Sequence, residues 1–554
     1  MFKDKILKNR NLIDFFVIIL VAIFLSIPLF NSNLNVYVDD GIQHIARAYG
    51  TYLSFQENIL FPNIISSFSN GFGYSWNLFY GPLSTYGIVI INLVFSNFII
   101  SYKIFVYLCL FFSGYFMYKF INNFMENNNV ALLSAILYMS FPYHLTDLYI
   151  RNALGEYASF MFIPLVFLGL YNIFYTSEKH YYLSIGAIGL IITHNLSTLI
   201  VFVFSCLYIG LNFEKLKQTN VKKSIIINII FILGVSAFYW MPLLETKFTT
   251  NYQVYEEGMM ATKESVASHG LQITQLFVSK NDGSYVFELG PHIIVMLALS
   301  IMAIRLIDDK IKENYVFFLI SSIICLWMST KYFPWKILPD KLSIIQFPWR
   351  MMMMSAFFLS VICSINIYLI LKKFEVKDVV IIASIAVFYT IAFKGYLQYD
   401  NLTNIEDISL GNISGRDFEV SVGLGKEEYL PKKAYDNRFY IATRDEYIDV
   451  LEGNAIIKDE EKNGNHFIAN IESGDTDYSI LELPYLYYPG YEVRLDGMIT
   501  NTFETENGFI GIATLKNDKA TLEVNYIGTS IMKKSLLISF ISLIIFGFYI
   551  WKKH

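Results

Sequence analysis

Residues 3–47 read KDKILKNRNLIDFFVIILVAIFLSIPLFNSNLNVYVDDGIQHIAR. Lys3, Lys5, Lys8 and Arg10 precede an apolar run at 12–30, long enough for the roughly 30 Å hydrocarbon core and without a small-residue cleavage site. The run therefore reads as an uncleaved first membrane helix with its basic flank in the cytosol. The polar segment beyond it carries Asp39, Asp40, His44 and Arg47.

The pattern recurs along the chain. Apolar segments of spanning scale lie at 12–30, 99–118, 130–149, 157–175, 181–194, 196–213, 224–242, 291–306, 315–330, 351–371, 378–394 and 535–551, about 12 transmembrane helices in a polytopic α-helical membrane protein. The stretch 83–95, entered through Gly81-Pro82, is too short to span and reads as interfacial or re-entrant. With 83–95 left out of the crossings, Lys119, Lys179, Lys215, Lys217, Lys222, Lys223, Arg305, Lys310, Lys312, Lys372, Lys373, Lys377, Lys552 and Lys553 share one side, as the positive-inside bias requires. Both termini are then cytosolic. The segments 31–82, 151–156, 245–290, 331–350 and 395–533, together with His194, fall on the outer face.

Composition agrees. Of 554 residues, 55% are hydrophobic, 17% aromatic and only 16% charged, and the mean hydropathy is +0.44, a balance foreign to soluble domains. The net charge of −5 conceals an asymmetry: Asp400 to Glu523 hold 25 acidic against 11 basic residues, the remainder 22 against 31. The basic residues flank membrane segments, so no nucleic-acid partner is expected. Cys109, Cys206, Cys325 and Cys363 all sit in apolar runs, which excludes a disulfide framework or zinc site. Phosphate-loop, nucleophile-elbow, HExxH and CxxC signatures are missing, and no internal repeat is visible.

The segment 395–533 is strand-like, with β-rich runs at 439–442, 466–471, 479–483, 491–495, 509–515 and 521–526, and turns at Pro489-Gly490, Asp496-Gly497 and Asn517-Asp518. The expected organisation is a membrane domain over 1–394, an outer β-sandwich-like domain over 395–533, and a final membrane helix with a cytosolic tail over 534–554.

Ionisable groups gather at the outer helix ends. Asp40, His44 and Arg47 are spaced i, i+4 and i+7, so a helix capped near Asp39 or Asp40 presents all three on one side. His144, Asp147 and Arg151 share another helical face, with Glu156 shortly after; a plain Asp147–Arg151 bridge is the structural alternative. His194 lies between two apolar runs, and Gln346, Trp349 and Arg350 precede four methionines. The chain has nine arginines, and Arg47, Arg151 and Arg350 stand on the outer side against the bias. The guanidinium fork fits phosphate, so an anionic lipid-linked ligand explains them economically.

The ordered set Asp40-Gly41-x-x-His44, Gly71-Phe72-Gly73-Tyr74, Phe79-Tyr80-Gly81-Pro82-Leu83, Arg151 with Glu156, Thr193-His194-Asn195, Gln346-Phe347-Pro348-Trp349-Arg350 and Tyr487-Tyr488-Pro489-Gly490-Tyr491 resembles the YfhO-like bacterial membrane proteins of the GT-C glycosyltransferase superfamily. The label 6-pyruvoyl-tetrahydropterin synthase-related membrane protein fits the same residues without implying synthase chemistry. The resemblance implies a transferase in the bacterial cell membrane that takes a sugar from a polyprenyl-phosphate donor to an extracytoplasmic glycan or lipid acceptor, with a catalytic carboxylate in the first outer loop. Carried onto this chain, Asp40 or its neighbour Asp39 is the base, and His44 orients substrate. Arg350, Arg151, Arg47 and His194 meet the donor phosphate, supported by Asp147, Glu156, His144, Gln346, Trp349 and Tyr80. A divalent cation, Mg or Mn, on Asp39 and Asp40 is left open. The alternative is a non-enzymatic flippase or export component for lipid-linked saccharides.

Overall fold

The computed structural model describes residues 2–30, 40–176, 178–256, 259, 261–277, 287–289, 291–373, 427–516 and 519–553. Helices dominate, and a β-rich unit lies between residue 449 and the final helix. Five described helices are long and apolar enough to cross a bilayer: Phe98–Met125, Leu154–Thr176, Asp309–Ser329, Pro348–Lys373 and Ser530–Lys553. The pair Thr219–Val235 and Ala237–Thr249, bent by 69°, makes a sixth if it forms one span.

Several apolar segments are built differently from the continuous spans expected. The segment 130–149 divides into Asn128–Met139 and Pro142–Tyr149. Pro142 has no N–H for the preceding turn, and Phe141 before it is extended at ψ 130°, as the proline ring requires. The helices Tyr182–Ile191, Asn195–Leu211 and Pro291–Ala303 are 10, 17 and 13 residues long. At about 1.5 Å per residue they fall short of the bilayer core. Leu83–Phe95 is a 13-residue helix ended by Ser96 at φ 50°. The expected span 378–394 and the boundary at 394/395 lie outside the described residues.

The helix Met352–Lys373 is buried along most of its length, and Met351 to Met354 belong to the core. Phe357 stacks on Phe167 at 4.8 Å and on Phe120 at 5.6 Å. In the first helix, Phe2–Leu25, the fully buried Asp14 pairs with Arg10 at 3.0 Å and accepts from Tyr118 at 3.0 Å and Asn128 at 3.2 Å. Such a carboxylate is tolerated because Arg10 compensates its charge and Oδ2 accepts two hydrogen bonds.

The β-rich unit contains β1 (Asp449–Glu452), β2 (Ala455–Asn463), β3 (His466–Ser473), β4 (Tyr478–Leu486), β5 (Tyr491–Leu495), β6 (Met498–Ile499), β7 (Phe503–Glu504), β8 (Phe509–Leu515) and β9 (Lys519–Tyr526). One sheet has the order β1-β4-β8-β7 and the other β2-β3-β9-β5-β6, antiparallel throughout. Phe467, Ala469 and Ile471 of β3 alternate inward and meet Leu481, Leu483, Ile510, Ile512, Leu522 and Val524 in a core between the sheets. The strand expected at 439–442 is instead part of the helix Arg438–Thr443, which turns Ile441 inward and leaves Phe439 exposed. β2, with its run of charges at 458–462, reads poorly as a strand because it is an edge whose side chains are mostly exposed or half-buried.

This unit shares a core with the segment 57–80. Leu430, Ala434, Ile441, Leu486, Tyr488 and Phe509 pack in one cluster with Ile64, Phe68, Phe72 and Tyr74. Phe72 meets Phe509 edge-on at 5.1 Å, and the Asn70 side-chain amide donates to the carbonyls of Arg444 (3.0 Å) and Ile441 (3.3 Å). Lys462 donates to the Gly71 carbonyl at 2.7 Å. Gly71 holds φ +85°, and a Cβ there would stand 2.7 Å from the Glu446 carboxyl carbon, so the turn admits only glycine comfortably. The final helix packs against Thr219–Val235 and Ala237–Thr249.

Candidate functional site

Asp40 occupies the N-cap of the helix Gly41–Gln56, yet its carboxylate makes no capping hydrogen bond; its backbone N–H donates to the Arg151 carbonyl at 3.2 Å. One turn and two turns on, His44 and Arg47 are both buried. Arg47 donates through Nε to Asn77 Oδ1 at 2.9 Å and through Nη2 to the carbonyls of Tyr80 (3.0 Å) and Gly81 (2.8 Å). Its guanidinium carbon lies 4.8 Å from the Tyr80 ring centre. Among the described residues it has no carboxylate partner, and its buried Nη1 has no hydrogen-bond partner. Burial pulls its pKa down to about 10, so it stays charged at neutral pH.

His44 meets the Tyr80 ring edge-on at 5.4 Å, and its Nδ1 is also buried without a partner. Burial holds its pKa down at about 4, Asp40 opposing the shift and Arg47 and Arg151 adding to it. The imidazole is therefore neutral at physiological pH.

A second cluster of charges forms around Glu156. Arg151 donates through Nη1 to Asp147, to Glu156 Oε2 at 3.1 Å and to Tyr143 Oη at 3.1 Å. Tyr143 Oη donates to Glu156 Oε1 at 2.6 Å, and Arg350 Nε reaches Oε2 at 3.3 Å. Arg350 Nη1 donates to the Ile345 carbonyl at 3.1 Å and to Gln346 Oε1 at 2.7 Å, with Gln346 turned to φ +60°. Trp349 lies under Arg151, 4.4 Å from its guanidinium carbon. The plain Asp147–Arg151 bridge exists, but it is one edge of a larger network, and Asp147 Oδ2 is buried without a partner.

Tyr80 joins the two clusters. Its phenol lies in the field of Asp40, Arg47, Arg350 and Glu156, and burial first, then Asp40, pushes its pKa above the ordinary value. A Cβ on Gly155 would stand 2.5 Å from its hydroxyl, and the His194 ring lies 5.8 Å away. His194 caps the helix Asn195–Leu211, its Nδ1 accepting from the Ser197 N–H at 3.3 Å. The segment before and after Tyr80 is pinned to the junction of two helices: Asn195, the first residue of Asn195–Leu211, donates to the Phe79 carbonyl at 3.0 Å, and Leu83 N–H donates at 2.8 Å to the carbonyl of Ile192, which ends Tyr182–Ile191.

The structure thus brings Asp40, His44, Arg47, Tyr80, Asp147, Arg151, Glu156, His194, Gln346, Trp349 and Arg350 to one region. His144 is placed elsewhere: it stacks on Phe160 at 3.9 Å beside Tyr157, with Nδ1 facing the Tyr138 carbonyl, a core position set by its flat ring. Asp39 lies outside the described residues. Among the described residues no three His, Cys, Asp or Glu side chains form a group that could hold a metal ion, and no step is assigned to a divalent cation. Sequence reasoning missed Tyr143 and Asn77, which hold Glu156 and Arg47. Tyr143 was legible only as a neighbour of His144; Asn77 carried no local signal.

Residues 78–400 match the family model described as 6-pyruvoyl-tetrahydropterin synthase related domain, membrane protein. The chain belongs to this family. The matched region includes every clustered residue named above except Asp40, His44, Arg47 and Asn77, which precede it. As a family member with several apolar helices, the chain is a multi-pass membrane protein. A protein of Lactococcus lactis subsp. cremoris (strain MG1363), described as uncharacterized, is 28% identical over 349 residues, which cover 59% of this chain and 55% of that protein. The chain thus spans about half the length of that relative. The cryo-EM structure of a mutant arabinofuranosyltransferase AftD from Mycobacteria is similar to 62% of this chain and 25% of that one, at 14% identity and a TM-score of 0.37.

Proposed function

We propose that this chain is a membrane glycosyltransferase of the GT-C type, moving a sugar from a polyprenyl-phosphate-linked donor to an extracytoplasmic acceptor, a cell-wall polymer, polysaccharide or lipid. In this reading both termini are cytosolic, and the cluster faces outward with the β-rich unit. The single observation that carries the reading is Arg47: a buried, charged guanidinium with a free N–H and no acid beside it among the described residues. Buried polar groups are almost always partnered, and an anion supplies what this one lacks. Arg151 and Arg350 already share Glu156, so Arg47 offers the least compensated charge for the donor phosphate, and Arg350, which like Arg47 acts on the Tyr80 phenol, is the second cation.

Asp40 supplies the base, its carboxylate free of the capping role that its position offers. It takes the proton of an acceptor hydroxyl while that oxygen bonds to the anomeric carbon. The bond from that carbon to the phosphate oxygen breaks, and the electron pair leaves with the phosphate against Arg47 and Arg350. A positioned base contributes about 10² to 10⁴ in rate, and fixed cations at the leaving group add to it. Neutral His44 is suited to orient the acceptor through its unpartnered Nδ1.

Reconstituted protein given a polyprenyl-phosphate sugar, with no ion gradient, tests the reading. Consumption of the donor is expected in the wild type and its loss in Asp40→Asn, with membrane insertion intact. Full activity in that variant refutes the assigned base, and lipid translocation without sugar transfer favours a flippase.

A further inference from the structure

Tyr80 and Gly81 hold Arg47 through their backbone carbonyls, so the position of that cation depends on what fixes a short stretch of chain. The helix before it, Trp76–Phe79, has four residues, far too few to be stable alone. Its last ring, Phe79, is gripped from outside. Tyr429, 350 positions later, stacks on it at 4.7 Å with the planes 8° apart, and Tyr252 meets it edge-on at 4.9 Å.

Tyr429 is itself held from both sides of its backbone. Its N–H donates to Tyr74 Oη at 3.2 Å, and its carbonyl accepts from Ser75 Oγ at 2.8 Å. Its neighbours pair with the segment 251–254: Val254 N–H donates to the Glu428 carbonyl at 2.7 Å, Gln253 N–H to that of Leu430 at 3.0 Å, and Lys432 N–H to that of Asn251 at 2.7 Å. The strap 428–432 thus ties the segment leading into the β-rich unit to the backbone that presents Arg47. The Tyr429 phenol also lies within electrostatic reach of the Arg47 cation.

We propose that Tyr429 is a positioning residue: its ring, clamped on Phe79, sets the Tyr80 and Gly81 carbonyls that aim Arg47 at its anionic ligand. The inference rests on reading the Arg47 cluster as a phosphate site, and the strap then makes the C-terminal region part of that site rather than an appended binding module. The ring plane matters here and the hydroxyl does not, so phenylalanine substitutes and alanine does not.

The test uses full-length protein in nanodiscs of neutral phospholipid, with undecaprenyl phosphate as the probe and hydrogen exchange read at the Tyr80 and Leu83 amides, which donate to the Trp76 and Ile192 carbonyls. Tyr429→Ala is expected to weaken probe binding about tenfold and speed exchange at both amides, while Tyr429→Phe stays within about twofold of wild type. Wild-type exchange in Tyr429→Ala overturns the proposal whatever the probe does, and equal losses in the two variants overturn the role of the ring. If wild type ignores the probe while Tyr429→Ala still loosens the two amides, the phosphate reading fails and the positioning stands. Should Tyr429→Ala not fold, Tyr429→Leu, which keeps apolar bulk without a ring plane, is judged by the same criteria.

Discussion

Glu156 accepts from Tyr143, Arg151 and Arg350, so one carboxylate serves two buried cations. Glu156→Gln keeps the shape and removes the charge, leaving Arg350 with only neutral acceptors. Breaking a buried pair in this way costs about 3–5 kcal/mol, so the thermal midpoint of the purified protein should fall by several degrees. An unchanged midpoint would mean that the network is not held by charge. His44 makes a prediction of opposite character. Burial holds its pKa near 4 against the ordinary 6.5, so protonation favours the unfolded chain. Its contribution to stability is complete above pH 6.5 and is lost as the pH falls towards 4. His44→Gln should flatten that part of the midpoint-versus-pH curve, and an unaltered curve would remove His44 as its source. Asp40, His44 and Arg47 were legible as a set because helical spacing alone puts them on one face. Glu156 was legible only as a bystander, since the arginine that completes its pairing is 194 positions away.

At the scale of elements, the apolar runs hide their own breaks. The run 130–149 holds one helix on each side of Pro142, and hydropathy averaged along it passes over a break that backbone sterics impose. The extended segment through Gly81 runs against the end of the helix Tyr182–Ile191. A Cβ on Gly81 would stand 2.4 Å from the Thr193 carbonyl oxygen and 2.5 Å from its carbon, backbone atoms that cannot swing aside. Gly81→Ala should cost about 1–3 kcal/mol and displace the carbonyl that holds Arg47, lowering both the midpoint and donor consumption. Gly210, in the helix Asn195–Leu211, has nothing within 4 Å of its Cβ position. Gly210→Ala is the control, expected to be neutral or to stabilise the helix by about 1 kcal/mol. Equal losses in the two variants would discount the close approach at Gly81.

In the whole molecule, the charge asymmetry along the chain marks a β-rich unit that shares its core with the membrane body. Arg444, fully enclosed, pairs with Asp449 at 2.9 Å and Glu482 at 3.2 Å while lying 4.1 Å from the Phe509 ring, which in turn meets Phe72. Arg444→Ala strands Glu482, which is also buried, and should cost about 3–5 kcal/mol. Limited proteolysis should then cut within 436–449 faster than in wild type, and an unchanged rate would show that the junction does not depend on this pair. Apolar length and composition by themselves determined that the chain inhabits a membrane, because burying about 20 apolar residues per segment in hydrocarbon needs no partner to be favourable. Period-two alternation likewise determined most strands of the β-rich unit, although the run 439–442 became a helix once Ile441 had a core to face. The tertiary structure alone decided which acids neutralise which arginines, that Arg47 is left without one among the described residues, and that Tyr429 grips Phe79. Those contacts join residues tens to hundreds of positions apart, and their energies depend on distance and burial, quantities that local spacing along a chain does not contain.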